Sequence, residues 1–565
     1  MLNLYARLAP WILTLLELLL LAAAGTLILF SSRTASGRGQ PGAFTRIERA
    51  FTRLARRRRL AVFLVGFSVV AIRAALIPVL GIPQPSSHDE FSYLLAADTF
   101  AHHHITNLTH PMWVHFENFH VIQQPTYMSI YPPAQGLILA AGQFLGHPWI
   151  GQVLATALMC SSLCWMLQGW VPPSWALLGA GLAIFKLGIL GYWMNGYWSA
   201  SIVALGGALV LGAYPRLKKR KRPRIADAVL MAMGLLILAN TRPYEGLIFA
   251  IPVFFAMLFW LLNKDRPPFN QTLLRVILPI LAVLLAGFLA TGYYYYRVTG
   301  NPFRMTYLIE IDTYAAAPIF LWQTPHGEVT SRHKVIRDFF QWERDAFREN
   351  HTLRGYLHRT GVALLSWWQV YVGPLLTVLA IACVFRRKQM WLPFLICAAV
   401  VVALAVETWA MPHYFSPATC VLYLFLVQGA RHLWHWQPAG RPLGKALVRA
   451  IPVLACGMIF LRVATAGAHL PIESPWPRGN LKRSAMLSDL NKKAGLHLVI
   501  VLYESQHNFD NEWVYNDANI DSAKVVWARD MGKQNNQELL QYFRSRNVWL
   551  VDADAREPRA VPYPD

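Results

Sequence analysis

Apolar stretches of bilayer length recur along this chain, and a soluble fold has no place for so many of them. Residues 11–30, 60–80, 150–170 and 276–294 carry few charges, and about 17–25 such residues cross roughly 30 Å of hydrocarbon as a helix. Hydrophobic residues make up 55% of the 565, and charged ones only 15%, where soluble domains carry about a quarter. The pattern is that of a polytopic α-helical membrane protein.

The formal net charge of +22 would suit a nucleic-acid partner, but the positions of the cations point elsewhere. Arg56-Arg57-Arg58-Arg59, the run from Arg216 to Arg222, Lys264-Asp265-Arg266 and Arg386-Arg387-Lys388 all sit between apolar runs. There cations set topology and meet anionic headgroups, so no nucleic acid is expected. All six cysteines lie in apolar stretches. Cys160 and Cys164 read as buried residues of one helix, and no disulfide framework is available.

Between Gly81 and Pro148 there is no Lys and no Arg, which is charge sorting by side of a membrane. With the basic joints inside, twelve spans follow, near 11–30, 60–80, 149–168, 173–193, 197–213, 226–241, 246–262, 276–294, 361–385, 390–408, 415–430 and 450–466. Both termini then lie outside. The opposite orientation would export nine arginines from residues 31–59. Residues 134–146 are apolar but short and read as a helix at the outer interface. The first span lacks a basic leader and a cleavage site, so it is expected to stay.

The expected division is a first span with a basic segment (1–59), a transmembrane catalytic domain (60–466) and an external α/β domain (467–565). The middle part carries external loops at 81–148 and 295–360. In the tail, 497–503, 523–528 and 547–552 read as strands and 537–543 as a helix.

Polar residues gather against the outer face in three places: His88-Asp89-Glu90-Phe91; Arg242-Pro243-Tyr244-Glu245; and Tyr293 to Arg297 with Arg304. Joining a sugar carried on a lipid phosphate to a hydroxyl needs a carboxylate to take the proton and cations for the departing phosphate. Asp89 and Glu90 are the candidate catalytic acids, and Arg242, Arg297 and Arg304 the candidate phosphate ligands. Helix capping by the acids and snorkelling by the arginines are the plainer alternatives.

These residues resemble those of the GT-C superfamily of polyprenyl-phosphate-sugar glycosyltransferases, nearest the protein O-mannosyltransferase and lipid A aminoarabinose transferase clans. The resemblance covers residues 60–430. It rests on Asp89-Glu90, Tyr131-Pro132-Pro133-Ala134, Arg242-Pro243-Tyr244-Glu245-Gly246 and His413-Tyr414-Phe415-Ser416-Pro417. It implies a GT-C-like fold and an inverting transferase in a bacterial inner membrane, working on the periplasmic side with Asp89 as general base. Tyr131, Tyr244, Glu245 and His413 would contact substrate. The partners implied are a polyprenyl-phosphate-linked sugar, membrane lipid and an acceptor glycan, glycolipid or protein. The basic N-terminal span and the tail depart from the usual pattern.

No metal is required by that resemblance. Even so, His88, His102, His103, His104, His110, His115 and His120 lie near Asp89 and Glu117 in sequence, a composition from which a divalent-metal site can be built. Glu17, Arg73, Lys186, Glu407 and Arg462 fall in or near apolar runs, where ionised groups need partners. Arg73 and Arg462 sit where they would reach headgroups. A lipid or polysaccharide transporter is the competing function, and it would spread polar groups through the membrane depth.

Overall fold

The computed structural model describes residues 2–34, 43–263, 266–325, 327–383, 390–470 and 475–564. Among them six helices are long and apolar enough to cross a bilayer: Trp11–Ile28, Pro148–Trp170, Ala200–Lys219, Pro243–Leu262, Phe269–Thr299 and Leu443–Gly467. The helices Leu353–Tyr371 and Gly373–Ile381 meet at 95° and make a seventh if counted as one broken span. Gly373 turns that corner at φ 63°, a region a Cβ disfavours. The chain is an integral membrane protein.

The twelve expected crossings are not reached by length and composition, and the shortfall lies in short elements. Pro173–Gly188, Ile225–Ala239 and Trp391–Ala405 are apolar but only 10–17 residues long. The segment expected to span 173–193 ends in a π-turn at Ile184–Gly188. Residues 189–199 then leave the helix and bury Trp193 and Tyr197. Thr419–Trp434 is largely buried among other helices. Hydropathy reports apolar character but not where a helix breaks, so a short apolar helix and a span look alike in sequence. The joints Lys264-Asp265 and Arg386-Arg387-Lys388, and residues 35–42, lie outside the described residues.

Arg73 does not reach headgroups as expected. It is fully buried, donates to Asn195 Oδ1 at 3.0 Å and the Gly81 carbonyl at 2.6 Å, and lies over the Trp149 ring. Its charge ties the end of the Arg58–Ala75 helix to the chain entering the first loop. Lys186 and Glu17 are neighbours: a Cβ on Gly373 would stand 2.6 Å from the Lys186 Nζ and 3.0 Å from the Glu17 Oε2.

The first loop opens with the helix His88–Ala101. Strands β1 (Asn107–Leu108), β2 (Val121–Ile122) and β3 (Thr126–Ser129) form a small antiparallel sheet in the order β1-β3-β2. The helix Pro133–Phe144 then packs between His88–Ala101 and Pro148–Trp170. The tail builds a four-stranded sheet from β4 (His497–Leu502), β5 (Val525–Arg529), β6 (Asn547–Asp552) and β7 (Val561–Pro562), ordered β5-β4-β6-β7. β4 runs parallel to β5 and β6, and β7 antiparallel to β6.

Tail and loop share a core. Leu95, Phe116, Val121 and Tyr127 of the loop bury with Leu498, Ile500, Val526 and Phe543 of the tail. Hydrogen bonds fix the register of the two: Asn118 Nδ2 donates to the Val514 carbonyl at 2.6 Å, and the Tyr127 hydroxyl to the Asn516 carbonyl at 3.0 Å. Burial of those apolar side chains holds the two together, and the polar contacts orient them.

Candidate active site

Asp89 and Glu90 are adjacent but meet different surroundings. Ser87 and Glu90 form a capping box at the start of His88–Ala101. The Glu90 carboxylate accepts from the backbone N–H groups of Ser86 at 3.0 Å, Ser87 at 3.4 Å and Tyr197 at 3.0 Å. It is buried, and burial raises its carboxyl against the pull of those donors. Glu90 therefore locks the helix start to the 189–199 segment.

Asp89 faces the other way. The Tyr131 hydroxyl donates to its Oδ1, the His88 Nδ1 lies 3.3 Å from Oδ2, and the His120 Nε2 lies 3.8 Å from Oδ1. Burial alone would raise this carboxyl. His88, His120 and the Tyr131 hydroxyl outweigh it and hold Asp89 below the ordinary carboxylate value.

His120 is placed by a strained backbone. Its φ of 59° is left-handed. Glu310 Oε1 accepts its backbone N–H at 2.7 Å and its Nδ1 at 2.9 Å, while the Ser92 hydroxyl donates to its carbonyl at 2.6 Å. Burial would lower this imidazole, but Glu310 and Asp89 push it up to about 9. For His88 burial outweighs the pull of Asp89, Asp510 and Glu512 and, with the charge of His120, holds the imidazole down. A charged imidazolium thus bridges two carboxylates, one of them Asp89.

Arg242 forms the opposite wall. It is the N-cap of Pro243–Leu262, with Pro243 as the first helical residue. Its guanidinium lies 3.9 Å over the Tyr414 ring and 3.5 Å from Glu245. Its Nε has no acceptor among the described residues. Tyr93 and His413 each lie within electrostatic reach of both Arg242 and Asp89. Tyr93 stacks on Tyr131 at 4.3 Å, and Tyr131 meets Tyr307 edge-on at 5.7 Å. A carboxylate and a guanidinium thus stand about one cluster of aromatic and polar side chains, with Tyr93 and His413 in reach of both.

The structure brings together Asp89, Tyr131, Arg242, Glu245 and His413 of the expected residues. Tyr244 lies beside them, against Phe320 at 4.6 Å, and Glu407 is buried within electrostatic reach of Arg242. Arg297 and Arg304 do not join. Arg297 donates to the Tyr293 hydroxyl on an exposed helix end, and Arg304 pairs with exposed Asp312 at 2.5 Å. Each has water and a local partner, so neither is drawn inward.

Glu310, Tyr307 and Tyr93 are not singled out by sequence reasoning. Tyr93 carried a usable signal, since it follows Asp89 by four and shares its helix face. Glu310 and Tyr307 carried none, because they come from Thr306–Tyr314, far along the chain.

Of the loop histidines only His88 and His120 reach Asp89. Among the described residues these three form the one group whose ligand atoms all lie within 4.8 Å of one another. His110 instead meets Asp521 at 3.1 Å, and His102 is exposed beside Asp98.

No family model matches this chain, and no curated protein matches it significantly. Among solved structures it is similar to ArnT from Cupriavidus metallidurans, apo and bound to undecaprenyl phosphate. Each is 12% identical with a TM-score of 0.49, over 86% of this chain and 92% of that one. The apo oligosaccharyltransferase of Archaeoglobus fulgidus is 12% identical with a TM-score of 0.37, over 78% of this chain and 62% of that one.

Proposed function

We propose that the protein is a membrane glycosyltransferase that moves a sugar from a polyprenyl phosphate to an acceptor hydroxyl at the external face, with inversion. The observation that carries this reading is the placement of Asp89, held below the ordinary carboxylate value, and Arg242 around the same neighbours, Tyr93 and His413. Asp89 takes the proton of the acceptor hydroxyl as its oxygen bonds to the anomeric carbon. The bond from that carbon to the phosphate oxygen breaks on the opposite face, and the electron pair leaves with the phosphate. Arg242, with an unmatched Nε and a helix N-terminus behind it, receives the released charge.

His120 and Glu310 are positioning residues in this scheme. They hold Asp89 ionised beside the neighbours it shares with Arg242. Glu90 fixes the helix start and takes no proton. Tyr93, Tyr131, Tyr307 and Tyr414 supply the walls against which a sugar ring would pack.

A divalent cation is a second reading, favoured by the His88, Asp89 and His120 cluster. Those three side chains would hold it, and it would supply charge for phosphate binding. A transport reading would need charged groups along the membrane depth. Glu17 and Lys186 instead flank one helix corner at Gly373.

The test uses purified wild type and Asp89→Asn with a panel of radiolabelled polyprenyl-phosphate sugars and membrane extract as acceptor. Transfer by wild type that vanishes in the variant is the expected result. Undiminished transfer by the variant would falsify the base assignment, and no transfer from any donor by folded protein would sink the transferase reading. Full activity after dialysis against a chelator would remove the cation.

A further inference from the structure

A cavity of about 570 Å³ lies between the carboxyl ends of β4 and β5 and the start of the helix Lys334–Asn350. Ligands of open parallel sheets bind outside the carboxyl ends of their strands. Nothing in the transfer scheme uses this space.

We propose that this cavity binds the anionic group, phosphate or carboxylate, of a saccharide. Its charged lining is Arg332, Lys334 and Arg529 against one acid, Asp530. That acid is turned to its own loop and helix, accepting from the Gly532 N–H at 3.3 Å and the Asn536 amide at 2.7 Å. Lys334 pairs with Asp338 at 2.5 Å, but both are exposed and the pair is screened.

Arg529 is the strongest feature. It is 2% exposed. Its Nε donates to the Glu117 carbonyl at 2.5 Å, and its Nη2 to Glu512 at 2.7 Å and Asn118 at 3.3 Å. Its Nη1 has no acceptor among the described residues. Glu512 already matches its charge, so what Arg529 adds at the cavity wall is one unmatched N–H donor, a costly state that an anion drawn in beside it would relieve.

Two helix N-termini reinforce the field. Lys334–Asn350 starts at the cavity with His333 as N-cap, and Lys533–Tyr542 starts beside it with Gly532 as N-cap. Their free amide ends favour negative charge. Tyr503 and Asn535 add an aromatic face and an amide to the lining, groups suited to a sugar ring and its hydroxyls.

That the anion is carried on a saccharide rests on the transferase reading above; that an anion binds does not. The same helix links the two places. Val335 lines the cavity, and Phe339, one turn or about 6 Å further on, packs against His88 at 5.1 Å and His120 at 5.9 Å.

The experiment is calorimetric titration of the full chain in nanodiscs of zwitterionic lipid, with glucose 1-phosphate, galacturonate, glucose and inorganic phosphate as probes. The expected result is binding of both acidic sugars, about tenfold or more tighter than glucose, with the sugar phosphate tighter than inorganic phosphate. The double variant Arg332→Ala/Lys334→Ala changes only exposed side chains and should weaken both acidic sugars about fivefold or more. No binding of any anion, or unchanged affinity in the double variant, overturns the site. Inorganic phosphate binding as tightly as the sugar phosphate overturns the saccharide. Binding needs no turnover, so failure of this site and failure of the transferase reading are separate results.

Discussion

Asp89 and Arg242 share the neighbours Tyr93 and His413 but are set in walls of different construction. Around Asp89 the neighbours are proton-bearing groups, His88, His120 and the Tyr131 hydroxyl, fixed by a dense set of loop hydrogen bonds. Around Arg242 they are aromatic faces and one acid, with a helix start behind it. The first wall controls a protonation state. The second presents a fixed positive charge with one unmatched donor, Nε. A carboxylate that must stay ionised while buried needs cations near it. A guanidinium needs only weak partners if it is to remain open to a ligand.

Breaking the first wall should cost most. Asp89→Asn is expected to lower transfer by about 10³-fold in the radiolabel assay while the protein still folds, read by far-UV circular dichroism. Breaking the second should be milder: Arg242→Lys keeps the charge but loses the planar donor set, and about 10²-fold in turnover is expected. A loss in Arg242→Lys as deep as in Asp89→Asn would mean that the two walls do not divide the work as argued.

Glu90 sharpens the comparison within one wall. Glu90→Ala strips acceptors from three backbone N–H groups and should destabilise by on the order of 3 kcal/mol, read by denaturation. Glu90→Gln keeps an acceptor oxygen and should retain most transfer. If Glu90→Gln were as inactive as Asp89→Asn, the division between base and anchor would be wrong.

Glu343 provides a smaller, pH-dependent effect. It is buried near His120, Glu310 and Asp89, and burial pushes its carboxyl up to about 8. Its folded value lies above its unfolded one, so its neutral form favours folding. That contribution is complete below the ordinary carboxylate value and is lost as pH rises through about 8. Glu343→Gln should therefore be more stable than wild type at pH 9, by up to about 5 kcal/mol, with the gap closing toward pH 5, as read by thermal unfolding. An equal gap at both pH values would show that Glu343 does not titrate as described.

Arg297 and Arg304 set the lower bound. Both lie on the exposed surface with local partners. Arg297→Ala and Arg304→Ala should each change donor KM by less than about twofold. A large rise would place either arginine at the donor phosphate.

Local features of the site were legible along the chain. The Asp89-Glu90 pair at a helix start and Arg242 before Pro243 are defined by residues adjacent in sequence, and caps and turns follow local rules. The strands at 497–503, 523–528 and 547–552 follow the same logic: their apolar runs match β4, β5 and β6 to within a few residues. Glu310 was invisible because its meaning depends on His120, 190 residues away. Arg73 was misjudged because its partner Asn195 lies 122 residues away, in the joint between two expected spans. The expected role of Arg297 and Arg304 rested on their being near the membrane end, which says nothing about the direction a side chain takes.

The sequence by itself determined that this chain enters a membrane, that one long loop is cleared of Lys and Arg, and that an acid stands at the start of that loop. Each follows from residue type and spacing, through the cost of burying charge in hydrocarbon and the preferences of helix ends. Only the tertiary structure showed which apolar segments form helices shorter than a span. It alone set Asp89 toward the histidines and Glu90 toward the backbone, and joined the tail to the loop through a shared core. Those outcomes depend on contacts between segments far apart in the chain, and burial and electrostatic fields exist only once such segments have packed.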